Sequence, residues 1–111
     1  YAPYSNHSVG AALLTKSGKI YHGCNIENAG YTPCNCAERT AFTKAVSEGE
    51  REFEKIAVAG SIKNLVPCGM CRQFMSEFNI GLKIVYENKD GKVIDTTLDA
   101  LFPNEFKIET E

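Results

Sequence analysis

Asn35-Cys36-Ala37-Glu38-Arg39-Thr40-Ala41 and Pro67-Cys68-Gly69-Met70-Cys71-Arg72-Gln73 are the stretches that decide how this chain folds. Cys68 and Cys71 are three apart, which puts two side chains of a helix's first turn on one face, where both can bind one ion. Cys36 and Glu38 are two apart, a spacing that separates them in mid-helix. In a first turn the side chains tilt towards the N-terminus, so residues at N1 and N3 both overlook the space beyond the helix end. Bringing Cys36 to Cys68 takes a full helix and then a strand, and such a crossover is right-handed. Both helices then begin at one edge of a sheet, the edge where open α/β sheets gather their ligands.

The flanking sequence supplies the rest of that sheet. Val9 to Thr15 is apolar and uncharged until Lys16, as in a strand buried on both faces. Lys16-Ser17-Gly18-Lys19 reads as a hairpin turn and Ile20 to Asn25 as the returning antiparallel strand. Glu27 to Cys34, with Gly30 and Pro33, reads as an irregular loop. Ala37, Ala41 and Ala45, with Phe42 and Val46, recur at helical spacing from Cys36 until Gly49 supplies a stop, and Asn35 reads as the N-cap. Lys55 to Gly60 predicts a short strand. Pro67 opens a second helix with Met70, Phe74 and Phe78, plus Cys71 and Met75, on its apolar face. Leu82 to Glu87 and Val93 to Thr97 predict strands around the turn Asn88-Lys89-Asp90-Gly91, and Leu98 to Phe102 a last short helix. This order implies an α/β fold, a mixed sheet with helices packed on it.

The bulk composition narrows the partners. A chain of 111 residues reads as a single domain, 1–111. Hydrophobic residues at 43% and charged residues at 23% are globular usage and argue against disorder or a fibrous repeat. A net charge of −2 with scattered Lys and Arg offers no basic stripe to a phosphate backbone, which argues against nucleic acid. The apolar run Val9-Gly10-Ala11-Ala12-Leu13-Leu14 falls far short of a membrane span, and no secretory signal is visible. Five cysteines, an odd number that includes one CxxC, point to metal or redox chemistry in a reduced, cytoplasmic compartment. The opening Tyr1-Ala2-Pro3-Tyr4 lacks an initiator methionine, as in a fragment or a processed form.

Three sulfurs and one carboxylate thus come within reach of one metal ion. Three protein ligands leave the fourth tetrahedral position of Zn²⁺ to water, and a carboxylate that is not a ligand can move that water's protons. Three thiolates leave the unit at net −1, which works against acidifying the water. Two helix N-termini draw charge back, with Arg39 or Arg72 as donors to sulfur; Arg39 shares a turn with both a ligand and the acid. Two alternatives stay open: a closed Cys₄ zinc staple with Cys34 or Cys24 as fourth ligand, and a thioredoxin-like dithiol at Cys68 and Cys71. Structural zinc sites usually present two CxxC knuckles, and this chain has one. The dithiol leaves Cys36 and Glu38 without purpose. Cys24 and Cys34 otherwise read as small buried residues, and Glu38 as a capping-box partner of Asn35.

Cys36-Ala37-Glu38-Arg39-Thr40-Ala41 and Pro67-Cys68-Gly69-Met70-Cys71-Arg72-Gln73 resemble the two zinc motifs of the small, three-cysteine cytidine deaminases. Tyr1-Ala2-Pro3-Tyr4-Ser5-Asn6, Val9-Gly10-Ala11-Ala12-Leu13 and Gly23-Cys24-Asn25-Ile26-Glu27-Asn28-Ala29 resemble the same family, so the likeness covers nearly the whole chain. Asn25-Ile26-Glu27-Asn28 narrows the deaminase superfamily to free nucleosides. The resemblance implies a three-layer α/β/α sandwich with a mixed five-stranded sheet. The implied reaction is hydrolytic removal of the 4-amino group of cytidine or deoxycytidine in pyrimidine salvage.

The resemblance further implies zinc held by Cys36, Cys68 and Cys71, and Glu38 passing a proton to N3 and then to the departing amine. Asn25 and Glu27 correspond to residues that bind the ribose 3′-hydroxyl, with Ala37 a further substrate-binding position. A homotetramer is implied, in which Ala29 and Tyr31 lie near an adjacent subunit's sugar and Phe106 packs by the base. His7 stands where the family has a Phe against the pyrimidine; an imidazole has less area and titrates near neutrality. Gly30 replaces a small polar residue, and the family's helix before Tyr1 has no counterpart in this sequence. Two other functions are kept: a deaminase of a related nucleoside such as blasticidin S, and a catalytically silent, zinc-stabilised nucleoside-binding module.

Overall fold

A computed structural model describes residues 1–79 and 81–108. Its hairpin joins β1 (Val9–Thr15) to β2 (Ile20–Cys24) through a turn in which Thr15 N donates to the Lys19 carbonyl at 2.9 Å. Gly18 takes φ +92° there, which a side chain would resist. β1 pairs antiparallel on its other edge with β3 (Phe53–Gly60), which runs parallel to β4 (Lys83–Glu87), and β5 (Val93–Thr97) returns antiparallel. The sheet order is β2-β1-β3-β4-β5. α1 (Ala37–Ser47) links β2 to β3, α2 (Gly69–Ser76) lies in the β3–β4 crossover, and α3 (Leu98–Leu101) follows β5. The mixed five-stranded sheet and the order of elements agree with the sequence reading.

Register decides which face of the sheet becomes core. Leu13 pairs with Ile56, and Ile56 with Ile84, so the three line one face, and all are fully buried. Ala41, Phe42 and Ala45 of α1, Cys71 and Met75 of α2, and Leu98 of α3 join the same cluster. All three helices therefore contribute to one side of the sheet. On the other side Gly10, Ala57 and Ala59 are exposed. The burial of β1 on both faces expected from its apolar run is thus half realised, because small residues read as apolar whichever way they point. The second helical layer of the sandwich is not among the described residues. Nor, among those residues, is any helix long and apolar enough to cross a membrane.

Phe42 anchors an aromatic group, its ring centroid 4.8 Å from that of Phe53 and 6.0 Å from that of Phe78. Met70, expected on the apolar face of α2, is 64% exposed. Cys71 and Met75, four apart, set the buried stripe of that short helix, and Met70 lies about 100° round from Cys71.

α1 approaches β2 most closely at Gly23. A Cβ on Gly23 would stand 2.3 Å from the Ala37 carbonyl oxygen and 2.6 Å from Ala41 N. Backbone atoms cannot swing aside as a side chain can, so Gly23→Ala is expected to cost about 3 kcal/mol or more. Thermal unfolding checks this: an unchanged midpoint would mean that α1 can ride away from the sheet.

Candidate active site

α1 and α2 each begin on a cysteine. Cys36 is the N-cap of α1 and Cys68 that of α2, both with extended backbone. Glu38 is therefore at N2 and Ala37 at N1, one position earlier than the sequence spacing suggested. Asn35, expected as N-cap, is held outside the helix by a bridge to Ile26, with both N–H···O distances 2.8 Å. Its amide donates to Thr40 Oγ1 at 2.9 Å. No side chain caps α1, so the capping box is not made. Cys68 Sγ accepts from Cys71 N at 3.4 Å and so caps α2 with a sulfur.

The two helix starts bring three sulfurs together. Cys36 Sγ lies 3.9 Å from Cys68 Sγ, and Cys68 Sγ lies 3.3 Å from Cys71 Sγ, all three within 4.8 Å of one another. Tetrahedral zinc, with sulfur at about 2.3 Å, spaces its sulfurs about 3.8 Å apart, so this donor set fits the ion. Among the described residues no fourth donor joins the group. Cys34 Sγ instead accepts from Asn28 N at 3.2 Å. Cys24 is exposed, since it shares the open sheet face with Gly10, its cross-strand partner. Neither sulfur belongs to the group, and the burial expected of Cys24 does not occur.

Charge around the sulfurs is uneven. The Cys36 thiol is lowered to about 5, first by its hydrogen bond with Cys71 and, against burial, by the Arg39 guanidinium. Arg39 Nη2 is 3.7 Å from Cys36 Sγ and also donates to the Cys34 carbonyl at 3.1 Å. Cys71 moves the other way, because its proton is engaged with Cys36 and the group is buried. Arg72 turns away from the sulfurs and donates to the carbonyls of Pro67 at 2.7 Å and Leu101 at 3.0 Å. Glu38 is 5% exposed, and burial pushes its carboxyl above the usual range.

Glu38, Ala37, Cys36 and Cys68 face a cleft of about 230 Å³. Val9, Val58, Leu65 and Val66 wall it with apolar surface, and Asn25 stands at its side. Leu65 and Val66 escaped the sequence reading because they belong to a loop without periodicity. A second cavity of about 320 Å³ adjoins, shares Asn25 and Cys36, and runs past Glu27 to Tyr31. Asn25 Oδ1 accepts from Val9 N at 3.0 Å, and its Nδ2 donates to the His7 carbonyl at 2.9 Å. Glu27 Oε1 accepts from Tyr4 N at 2.9 Å and Ser5 N at 3.1 Å, and Oε2 accepts from Ser5 Oγ. These bonds, Ser5's foremost, hold the Glu27 carboxyl below the usual range.

The other predicted contacts lie apart. His7 and Ala29 are exposed and line neither cavity. Tyr31 is 78% exposed at the outer cavity's rim. Phe106 is 68% exposed, its backbone held by Gln73, whose Nε2 donates to the Phe106 carbonyl at 2.9 Å. Within one chain, Cys36, Cys68, Cys71, Glu38, Ala37 and Asn25 meet, and His7, Ala29 and Phe106 do not join them.

Comparison with known proteins agrees with this geometry. Residues 1–87 match the model of the cytidine and deoxycytidylate deaminase zinc-binding region. A cytidine deaminase of Sporosarcina psychrophila is 52% identical over 111 residues, covering 98% of this chain and 82% of that protein. A blasticidin-S deaminase of Bacillus cereus is 35% identical, covering 89% of this chain and 76% of that protein. The crystal structure of a Burkholderia pseudomallei cytidine deaminase superposes with a TM-score of 0.88 at 51% identity, covering 96% of this chain and 87% of that one. The chain belongs to the cytidine and deoxycytidylate deaminase family and carries its zinc-binding region.

Proposed function

We propose that this chain hydrolyses the bond between C4 and the amino nitrogen of cytidine and deoxycytidine, leaving uridine or deoxyuridine and releasing ammonia. The observation that carries this reading is a buried carboxyl, Glu38, in one cleft with sulfurs spaced for zinc. Zinc on Cys36, Cys68 and Cys71 supplies, when bound, the Lewis acidity that makes water nucleophilic near neutral pH. Glu38 takes one proton of the attacking water and hands it to ring N3. It then carries the water's second proton to the amine, which leaves as ammonia. The carboxyl must be ionised and neutral by turns, and the raised pKa of a buried carboxyl brings those two forms closer at neutral pH. Arg39, beside Cys36 Sγ, offsets thiolate charge.

The two adjoining cavities suit the two halves of a nucleoside. The base fits the smaller cleft, against Ala37 and the valine walls, with the ribose towards Glu27. Asn25 keeps one amide hydrogen and one lone pair, and Glu27 keeps an acceptor site, beyond those used by residues 4–9. That leaves both able to bind the 3′-hydroxyl. Tyr31, Ala29 and Phe106 are exposed in the single chain, which supports their serving a neighbouring copy's substrate in a homotetramer. The same reading makes residues 1–111 one domain, working in the cytoplasm in pyrimidine salvage, with neither nucleic acid nor membrane as partner.

The zinc-loaded protein is expected to remove the ultraviolet absorbance of cytidine and to release ammonia one for one. If cytidine and deoxycytidine both persist, the proposal is wrong. The 35% likeness to a blasticidin-S deaminase favours one second reading, a related cytosine nucleoside as substrate. Faster turnover of such a nucleoside than of cytidine, in the same assay, would decide for it.

A further inference from the structure

Residues 4–9, ahead of and entering β1, orient Asn25 and Glu27, two of the polar side chains that line the outer cavity. Asn25 has Val9 N–H on its oxygen and the His7 carbonyl on its nitrogen, which distinguishes the two ends of the amide and fixes its plane. Glu27 is gripped across both oxygens. Two main-chain N–H groups hold Oε1, and the Ser5 hydroxyl alone holds Oε2. Among the described residues Ser5 is the one side chain in this grip. Its Oγ also accepts from His7 N at 3.1 Å, so the hydroxyl hydrogen is left to point at the carboxylate. A hydroxyl that accepts from an N–H is polarised into a better donor.

We propose that Ser5 is a positioning residue for ribose recognition: its hydroxyl sets the plane of the Glu27 carboxylate so that a remaining lone pair meets the 3′-hydroxyl beside Asn25. This rests on the reading of Asn25 and Glu27 as sugar contacts. Without the Ser5 hydroxyl, Oε1 stays pinned and Oε2 is free to swing about it. The sugar then loses an aligned acceptor, and Glu38, in the neighbouring cleft, keeps its own surroundings.

Ser5→Ala is expected to raise KM for cytidine about tenfold with kcat held within about twofold, the scale of one hydrogen bond to a charged group. The preference for cytidine over 3′-deoxycytidine should shrink by the same factor. Calorimetry on the zinc-loaded variant should find uridine bound about tenfold more weakly and 3′-deoxyuridine unchanged. Ser5→Thr, which keeps the hydroxyl, should restore the wild-type KM. Equal losses on both nucleosides, or a fall in kcat at constant KM, overturn the inference and leave Ser5 a loop residue. A wild type with no preference for cytidine over 3′-deoxycytidine overturns the sugar reading itself, and the inference with it. Should the alanine variant fold poorly, Ser5→Cys, similar in size with a weaker donor, gives the same comparison.

Discussion

Glu38→Gln is expected to leave the protein folded and zinc-loaded while turnover of cytidine falls by about 10⁴-fold, the upper range for losing a positioned acid–base group. Gln has nearly the shape of Glu, so a side chain at 5% exposure keeps its packing. Its amide cannot accept the water's proton and pass it on, so both transfers fail together. Burial disfavours the charged carboxylate, and Gln has no charge to bury, so the unfolding midpoint is expected to hold or rise. Three measurements on one sample separate the cases: kcat, zinc content and midpoint. Turnover within about tenfold of wild type would move the proton transfer elsewhere. No other carboxylate lines that cleft among the described residues, which makes the prediction sharp. A joint collapse of midpoint and activity would make Glu38 a structural residue instead.

Features tied to local spacing were legible in the sequence, and those tied to long-range placement were not. The CxxC at Cys68 and Cys71 fixed two sulfurs on one helical turn, and the length from Cys36 to Cys68 demanded the helix and strand that return the chain. Asn35 has the better intrinsic capping side chain, yet Cys36 is the N-cap, because the Asn35 carbonyl is taken by Ile26 N–H in the bridge while the Cys36 carbonyl accepts the first helical bond, from Thr40 N. Arg39 follows Glu38 and Arg72 follows Cys71, so both stand within a zinc motif. Only the fold shows that one reaches sulfur and the other ties α2 to the carbonyl of Leu101. The grip of Ser5 on Glu27 spans 22 residues, and no periodicity reports a contact at that separation. The exposed small residues Gly10, Ala57 and Ala59 mark a further limit: a run of glycine and alanine signals neither face, so burial on both sides was inferred where one side is open.

Replacing Cys71 by serine is expected to abolish both zinc retention and turnover, with a large fall in the unfolding midpoint. Cys71 is fully buried, 3.3 Å from Cys68 Sγ, and a serine hydroxyl does not ionise near neutral pH to take a thiolate's place. Zinc that binds only the folded chain contributes about 4 kcal/mol at a free concentration a thousand times its Kd, which for a domain of this size is on the order of 20 °C. Chelator should bring the wild type down to the variant's midpoint and leave the variant unmoved. A second readout comes from protons. In the metal-free chain Cys36 is already a thiolate near neutral pH, lowered to about 5, while the pKa of Cys71 is raised. Zinc must therefore displace the Cys71 proton, so uptake by the wild type should release roughly one proton or more per ion, and the apparent affinity should fall as pH falls. A serine variant that retains one zinc per chain and full activity would remove Cys71 from the ligand set. The third ligand of that ion would then have to be a donor other than the three clustered sulfurs.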